Sequence, residues 1–441
     1  MASVKEVKNK DGTVSYKVTV SLGRTESGKQ VLKYKTFKPD PTKTKKQNEK
    51  ILDKFIRDFE ERCKSGSIDG ERRTFENYAR EWLKNYAEVE LEKTTVSRYR
   101  SGLENTVFPR IGYMKVADIK PSTIQGMLND MRETGFIHNG KRKPYSDESC
   151  RTIKIIVSSI MSSALADGLI SQNPCIIRQR NHKKVERKEI QCFSIEQAIK
   201  FLDVIENPIP IIVPAKKVIR HGKEVERREY QQGELVVALK YKVAYTVTIF
   251  SGVRREELLG LQWKDIDFDN QMIDINKAVQ YTKEEGIFIK TPKSDAGFRK
   301  IHLPETCMKL LRQLKRSQSK EILKQGSNWK GSRKIEENYL FTQDDGKIMF
   351  PSTLRAELVR ILKTYNRSCR NENDKLPVIS FHDLRHTSAS ALFARGLEPT
   401  VIAERLGHSD ASITLQVYAH SFAERDKAAS DALEDAFIKK A

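Results

Sequence analysis

Apolar and polar residues alternate through residues 14–22 and again through 31–37, with the turn-prone stretch 23–28 between them. Two runs of period two predict a small antiparallel sheet of two or three strands. From residue 46 to 63 the spacing lengthens. Ile51, Phe55, Ile56 and Phe59 recur every three to four positions, which predicts one helix against that sheet. Residues 66–73 read Gly-Ser-Ile-Asp-Gly-Glu-Arg-Arg, a linker. Helical spacing then dominates: Phe75, Tyr78, Ala79, Trp82, Leu83 and Tyr86 mark a helix over 74–89. Further helices are predicted over 94–107, 121–133 and 146–167, with 141–144 in a loop and a closing turn at 172–174.

After a second linker, 176–190, the pattern is mixed. Helices are predicted at 194–204 and 234–250, strands at 272–281, 286–290 and 299–303, and mainly helices from there on. The charged run 220–228 sits in a surface insertion spanning 206–233; that stretch and 315–340 have no assigned role. The expected fold class is multidomain α+β. It comprises a small N-terminal β-sheet plus helix (1–65), an all-α domain (74–175), and a mixed, mainly helical domain with a small antiparallel sheet (190–441).

Composition narrows the partner. A formal net charge of +21 over 441 residues points to a polyanion, with nucleic acid first. Residues 1–65 hold 17 Lys and Arg against 9 Asp and Glu, and a basic sheet of this kind can enter a major groove. Arg178, Arg180, Lys183, Lys184, Arg187 and Lys188 in the second linker suit a DNA backbone, as do Lys93, Arg98, Arg100, Lys141 and Arg142 in the helical domain. No run of about 18 apolar residues occurs and the first residues are polar, so neither a membrane span nor a signal peptide is expected. The six cysteines lack metal-ligand or disulfide-framework spacing, so a reducing cytoplasmic setting and no metal are expected.

Three motifs carry chemistry. In Ser-Gly-Val-Arg-Arg-Glu-Glu, Gly252 ends one helix and Arg254 begins the next, where a guanidinium and free backbone N–H groups both favour an anion. Arg255 is the neighbour that competes for that assignment. Lys293 lies in a turn between two strands, where an ammonium group can reach a DNA groove or give up a proton. His382 and Arg385, three apart on a predicted helix, share a face and can hydrogen-bond two phosphate oxygens; His386 is expected to face elsewhere. A short helix over 398–406, with Pro399 at its start and Gly407 at its end, leads to His408. Tyr418 follows after one more short helix.

In this order, Ser-Gly-Val-Arg-x-x-Glu, His-Asp-Leu-Arg-His-Thr, Leu-Gly-His-Ser and Val-Tyr-Ala-His resemble the boxes of the tyrosine recombinases, or phage integrases. The resemblance covers 190–425. By architecture, 1–65 and 74–175 are similar to the arm-binding and core-binding domains of integrases from phages and conjugative transposons. It implies that Arg254 and Arg385 grip the scissile phosphate, that His382 and His408 assist, and that Lys293 protonates the leaving 5′ oxygen. Tyr418 would form a 3′-phosphotyrosyl bond, with Glu257 orienting its neighbours. Tyr339 and Tyr365 are the rival nucleophiles, but neither has the His-then-Tyr context. No cofactor is implied. Implied partners are double-stranded DNA at core and arm attachment sites, a homotetramer on DNA, and an excision factor or host DNA-bending protein. Residues 422–441 are expected to form a helix that packs on the chain's own domain or on a neighbouring protomer. A helix-turn-helix regulator, a type IB topoisomerase and a dimer resolvase are the competing readings.

Overall fold

The computed structural model describes residues 2–8, 13–24, 30–64, 73–138, 140–176, 191–220, 223–227, 229–292 and 295–407, with positions 433, 434 and 437. The chain forms two compact units, Met1–Val185 and Glu186–Ala441.

In the first unit, β1 (Ala2–Lys8), β2 (Val14–Arg24) and β3 (Gln30–Phe37) form an antiparallel sheet in that order. Helix α1 (Lys45–Lys64) covers one face, burying Val18 and Val20 under Phe59 and Cys63. Period two puts Lys17, Thr19 and Tyr34 on the other face, where the Lys17 ammonium sits 4.4 Å from the Tyr34 ring centre. The strand β1 was not foreseen.

A separate apolar cluster fills the helical part. Helix α2 (Phe75–Trp82) starts at Thr74, whose hydroxyl accepts the Asn77 N–H. Helix α3 (Lys93–Gly102) runs into wider π-type turns over Leu103–Gly112, which contain Pro109. A proline has no N–H for the ordinary helical ladder, which is why the predicted helix changes winding there. Helices α4 (Pro121–Glu133) and α5 (Asp147–Ala166) match their sequence spacing closely. The expected loop at 141–144 is instead half of a hairpin, β4 (Phe136–His138) with β5 (Lys141–Lys143). Of the basic residues named for this part, Arg100 is held by Glu88 at 2.6 Å.

In the second unit, α6 (Ile195–Glu206) precedes the insertion. It is a ribbon: β6 (Ile209–Val213) pairs with β9 (Tyr230–Leu235), enclosing the pair β7 (Lys216–Arg220) and β8 (Lys223–Arg227). The predicted helix over 234–250 therefore begins later, as α7 (Leu239–Ser251). The apolar run from Leu235 to Leu239 has no period that separates strand from helix. Helix α7 is buried on nearly every side and forms the centre of the core, with the Tyr245 hydroxyl donating to the Leu354 carbonyl at 3.0 Å.

Helix α8 (Arg255–Gly260) follows directly. The single strand expected at 272–281 is two strands in two sheets. β11 (Met272–Ile275) lies between β10 (Ile266–Asp267) and β14 (Arg299–His302), whereas β12 (Ala278–Thr282) pairs with β13 (Gly286–Lys290). The break falls at Asn276 and Lys277, whose side chains bond to buried Asp265 at 3.1 and 2.7 Å. Helix α9 (Glu305–Gln325) and the loop beyond it pack into the core through Gln318, which accepts the Trp263 indole N–H at 2.6 Å. Helices α10 (Pro351–Ser368), α11 (Phe381–Ala394) and α12 (Pro399–Leu406) complete the described unit. No described helix is long and apolar enough to cross a membrane.

Candidate active site

The site is built where α7 stops. Gly252 takes a left-handed conformation (φ 68°), and a Cβ there would lie 2.4 Å from Leu406 Cδ2. Glycine alone lets the chain reverse this tightly against α12. Gly252→Ala is expected to lose about 2–4 kcal/mol, the sum of left-handed strain and overpacking. Urea unfolding of the full chain measures it, and an unchanged midpoint would show that the contact is not rigid.

Two residues on, Arg254 caps α8. Its N–H donates to Glu257 Oε2 at 2.9 Å and its Nη1 to Glu257 Oε1 at 2.7 Å. Its Nη2 donates to the Gly407 carbonyl at 2.9 Å. The Arg254 side chain is 34% exposed, so part of the fork faces solvent; Glu257 is 6% exposed. Arg255 turns to Glu256 instead, at 2.5 Å, which settles which of the two adjacent arginines joins this cluster.

Arg385 reaches the same spot from α11. It is only 2% exposed, and its Nη1 donates to the Gly252 carbonyl at 2.7 Å. One backbone turn thus carries Arg254 and accepts from Arg385. His382 lies at the start of the same helix, exposed at its edge. Desolvation, followed by the positive charge of Arg385, holds its pKa below the usual imidazole range, with Arg254 adding to the effect. At neutral pH it is therefore a neutral donor or acceptor. Contrary to expectation, His386 does not face elsewhere. Four residues on is one turn on the same face, and its ring stands edge-on to His382 at 5.1 Å between centres. Burial, then the neighbouring His382, pushes the His386 pKa down to about 4.

The structure brings together Arg254, Glu257, His382 and Arg385. Lys293, His408 and Tyr418 lie outside the described residues, as do most of linker 176–190 and nearly all of 422–441. The described backbone nonetheless reaches this cluster: Gly407, the residue before His408, is left-handed (φ 68°) and its carbonyl accepts from Arg254. The rival tyrosines are poorly suited as nucleophiles. Burial raises the pKa of Tyr339, and burial together with Cys369 raises that of Tyr365, so neither phenol is activated.

Two arginines were missed. Arg299 on β14 is 8% exposed and makes a two-pronged ion pair with Glu257, at 2.8 Å for Nη2 to Oε2 and 3.3 Å for Nη1 to Oε1. Arg405 Nη2 donates to the carbonyls of Phe250 and His302. The signal for Arg299 lay in strand parity, since it shares the inward face with buried Ile301 and Leu303. Among the described residues no group of three or more His, Cys, Asp or Glu could hold a metal ion.

The chain is similar to known proteins. Residues 234–425 match the phage integrase family, and residues 74–132 match the N-terminal SAM-like domain of phage integrases. A XerC-like tyrosine recombinase of Caldanaerobacter subterraneus is 26% identical over 97% of this chain and 98% of its own length. The ICEBs1 integrase of Bacillus subtilis is 27% identical over 73% of each chain. The transposase of transposon Tn916 from Enterococcus faecalis is 22% identical over 94% of this chain and 90% of its own. In fold, the chain is similar to the Tn1549 transposon integrase solved with a circular intermediate DNA (TM-score 0.60, 21% identity, 82% of this chain and 99% of that one). With the family's domains matched in order along the chain, and with relatives aligned over nearly its whole length, this protein belongs to the phage integrase family of tyrosine recombinases.

Proposed function

We propose that this site-specific DNA recombinase, which integrates and excises a mobile element or prophage, cuts DNA by attack of Tyr418 on a phosphodiester held by Arg254 and Arg385. The observation that carries this reading is the convergence on one backbone turn. Arg385 bonds to the Gly252 carbonyl, Arg254 follows two residues later, and Arg254 in turn holds the residue before His408. A solvent-facing guanidinium beside a buried one is suited to a phosphate whose negative charge grows at the transition state.

In the proposed reaction the Tyr418 oxygen attacks phosphorus as the bond to the 5′ oxygen breaks. Lys293 protonates that oxygen, and His382 and His408 hydrogen-bond the non-bridging oxygens. The phosphotyrosyl ester keeps the energy of the broken bond, so a 5′ hydroxyl from a second duplex reseals it without ATP. Free phenol has a pKa near 10, and surrounding arginines favour its ionised form. Joining two duplexes takes four such cleavages, which supports a homotetramer on DNA, with an excision factor or host DNA-bending protein as accessories.

The domain division 1–65, 74–175 and 190–441 gives each part a role: arm-site binding, core-site binding and catalysis. The open face of the first sheet, with Lys17 and Tyr34, offers cation and stacking surface to DNA. The test is a plasmid carrying two attachment sites. Full-length protein should yield recombinant circles, and supercoil relaxation without recombinants would point to a topoisomerase. A truncation lacking residues 1–65 should keep the core-site footprint and lose a second, distinct one. Matching footprints would end the arm-site assignment.

A further inference from the structure

We propose that Arg299 is a positioning residue for DNA cleavage, fixing the Arg254 guanidinium through Glu257; this rests on the reading of Arg254 as a phosphate ligand. Both oxygens of Glu257 are shared. Oε1 accepts Arg254 Nη1 at 2.7 Å and Arg299 Nη1 at 3.3 Å, and Oε2 accepts the Arg254 N–H at 2.9 Å and Arg299 Nη2 at 2.8 Å. A carboxylate held from one side only can rotate and carry its arginine with it. Held by a planar fork on the opposite side, it cannot.

Arg299 is anchored in turn. Its Nε donates to the Arg405 carbonyl at 2.9 Å and its Nη1 to the Gly297 carbonyl at 3.2 Å. Arg254 donates to Gly407, two residues beyond Arg405, so both guanidinium groups are fastened to the end of α12. A Cβ on Gly407 would come within 2.7 Å of Arg299 Nη1, which shows how closely that backbone passes.

Hydrogen-bond partners separate the two roles. Every nitrogen of the Arg299 fork donates within the protein, Nε to the Arg405 carbonyl, Nη1 to Glu257 and the Gly297 carbonyl, and Nη2 to Glu257, whereas the Arg254 side chain is 34% exposed. Charge agrees: two guanidinium groups on one carboxylate leave one positive charge in surplus, which a bound phosphodiester would balance. A lysine does not replace Arg299, because its donors sit on one nitrogen and lack the planar fork that pairs with both Glu257 oxygens while Nε bonds to the Arg405 carbonyl.

A double-mutant cycle on the full chain tests this, read as single-turnover cleavage of a nicked core-site duplex, with duplex affinity and urea midpoint as controls. Arg299→Lys should bind the duplex within about threefold of wild type yet cleave roughly 10–100-fold more slowly, the scale of a misplaced catalytic group. In an Arg254→Ala background the same change should cost no more than about threefold, because the group it positions is gone. Wild-type cleavage by Arg299→Lys, or losses that multiply in the double variant, would overturn the proposal. If Arg254→Ala itself cleaves normally, the fault lies with the phosphate-ligand reading instead. Should Arg299→Lys fail to fold, Glu257→Gln enters the cycle in its place, and multiplying losses there sink the idea equally.

Discussion

Tyr418→Phe is expected to bind core-site duplex as tightly as the wild type and to leave no covalent protein–DNA adduct on a nicked suicide substrate. The substitution removes one oxygen and nothing else. Binding rests on cations spread over a chain of net charge +21, each contributing through displaced counterions, so the loss of one phenol is invisible there. In the proposed reaction cleavage depends on that oxygen, because it is the atom that bonds to phosphorus. No water need replace it: hydrolysis would leave a free 3′ phosphate, and rejoining would stop. The wild type should accumulate adduct when the nicked strand diffuses away, since the 5′ hydroxyl that would reverse the step is lost. An adduct formed by Tyr418→Phe would return the nucleophile to Tyr339 or Tyr365, both of whose phenols are pushed up in pKa by burial. The phenylalanine variant is also informative in combination. Mixed with wild type on two attachment sites, it should block recombination at every junction it occupies while still filling its place on DNA.

Much of the fold was legible because its periodic elements are long and their ends are marked. Pro121 and Ser146 start α4 and α5 as a first-turn proline and an N-cap should, and apolar spacing covers the rest. Strand β1 left no trace because it is an exposed edge strand, with Val4 and Val7 three apart and on opposite faces. The split of 272–281 into two strands was hidden for another reason. Both halves alternate correctly, and only the tertiary pull of Asp265 on Asn276 and Lys277 breaks them apart. The site divides along the same line. Arg254 and His382-x-x-Arg385 announce themselves by residue type and spacing. Arg299 and Arg405 do not, since an arginine on a strand or near a helix end is ordinary until its partners are seen. What gives Arg299 meaning is a carboxylate 42 positions earlier in the chain, a distance no local pattern spans.

Arg254→Ala and Arg385→Ala should each lose cleavage by about 10³-fold or more, but for separable physical reasons. Removing one preorganised donor from a developing anion costs about 10²–10³ in rate, and here the donor is ionised as well. For Arg254→Ala the fold should hold. Its side chain is one-third exposed, and Glu257 keeps its two-pronged pair with Arg299, so no buried charge is orphaned. The defect should therefore appear almost wholly in the single-turnover rate, with an unchanged urea midpoint. Arg385→Ala deletes a 2%-exposed side chain and leaves the Gly252 carbonyl without its 2.7 Å donor, which should add a stability loss of about 1–3 kcal/mol. Arg385→Lys then separates the two effects. An ammonium group can restore charge and a single hydrogen bond, so stability should recover further than rate, because the fork that spans Gly252 and a phosphate oxygen is missing. A rate within tenfold of wild type for either alanine variant would mean that these arginines do not hold the scissile phosphate. The convergence of α7, α8, α11 and α12 on Gly252 would then be a packing solution, not an active site.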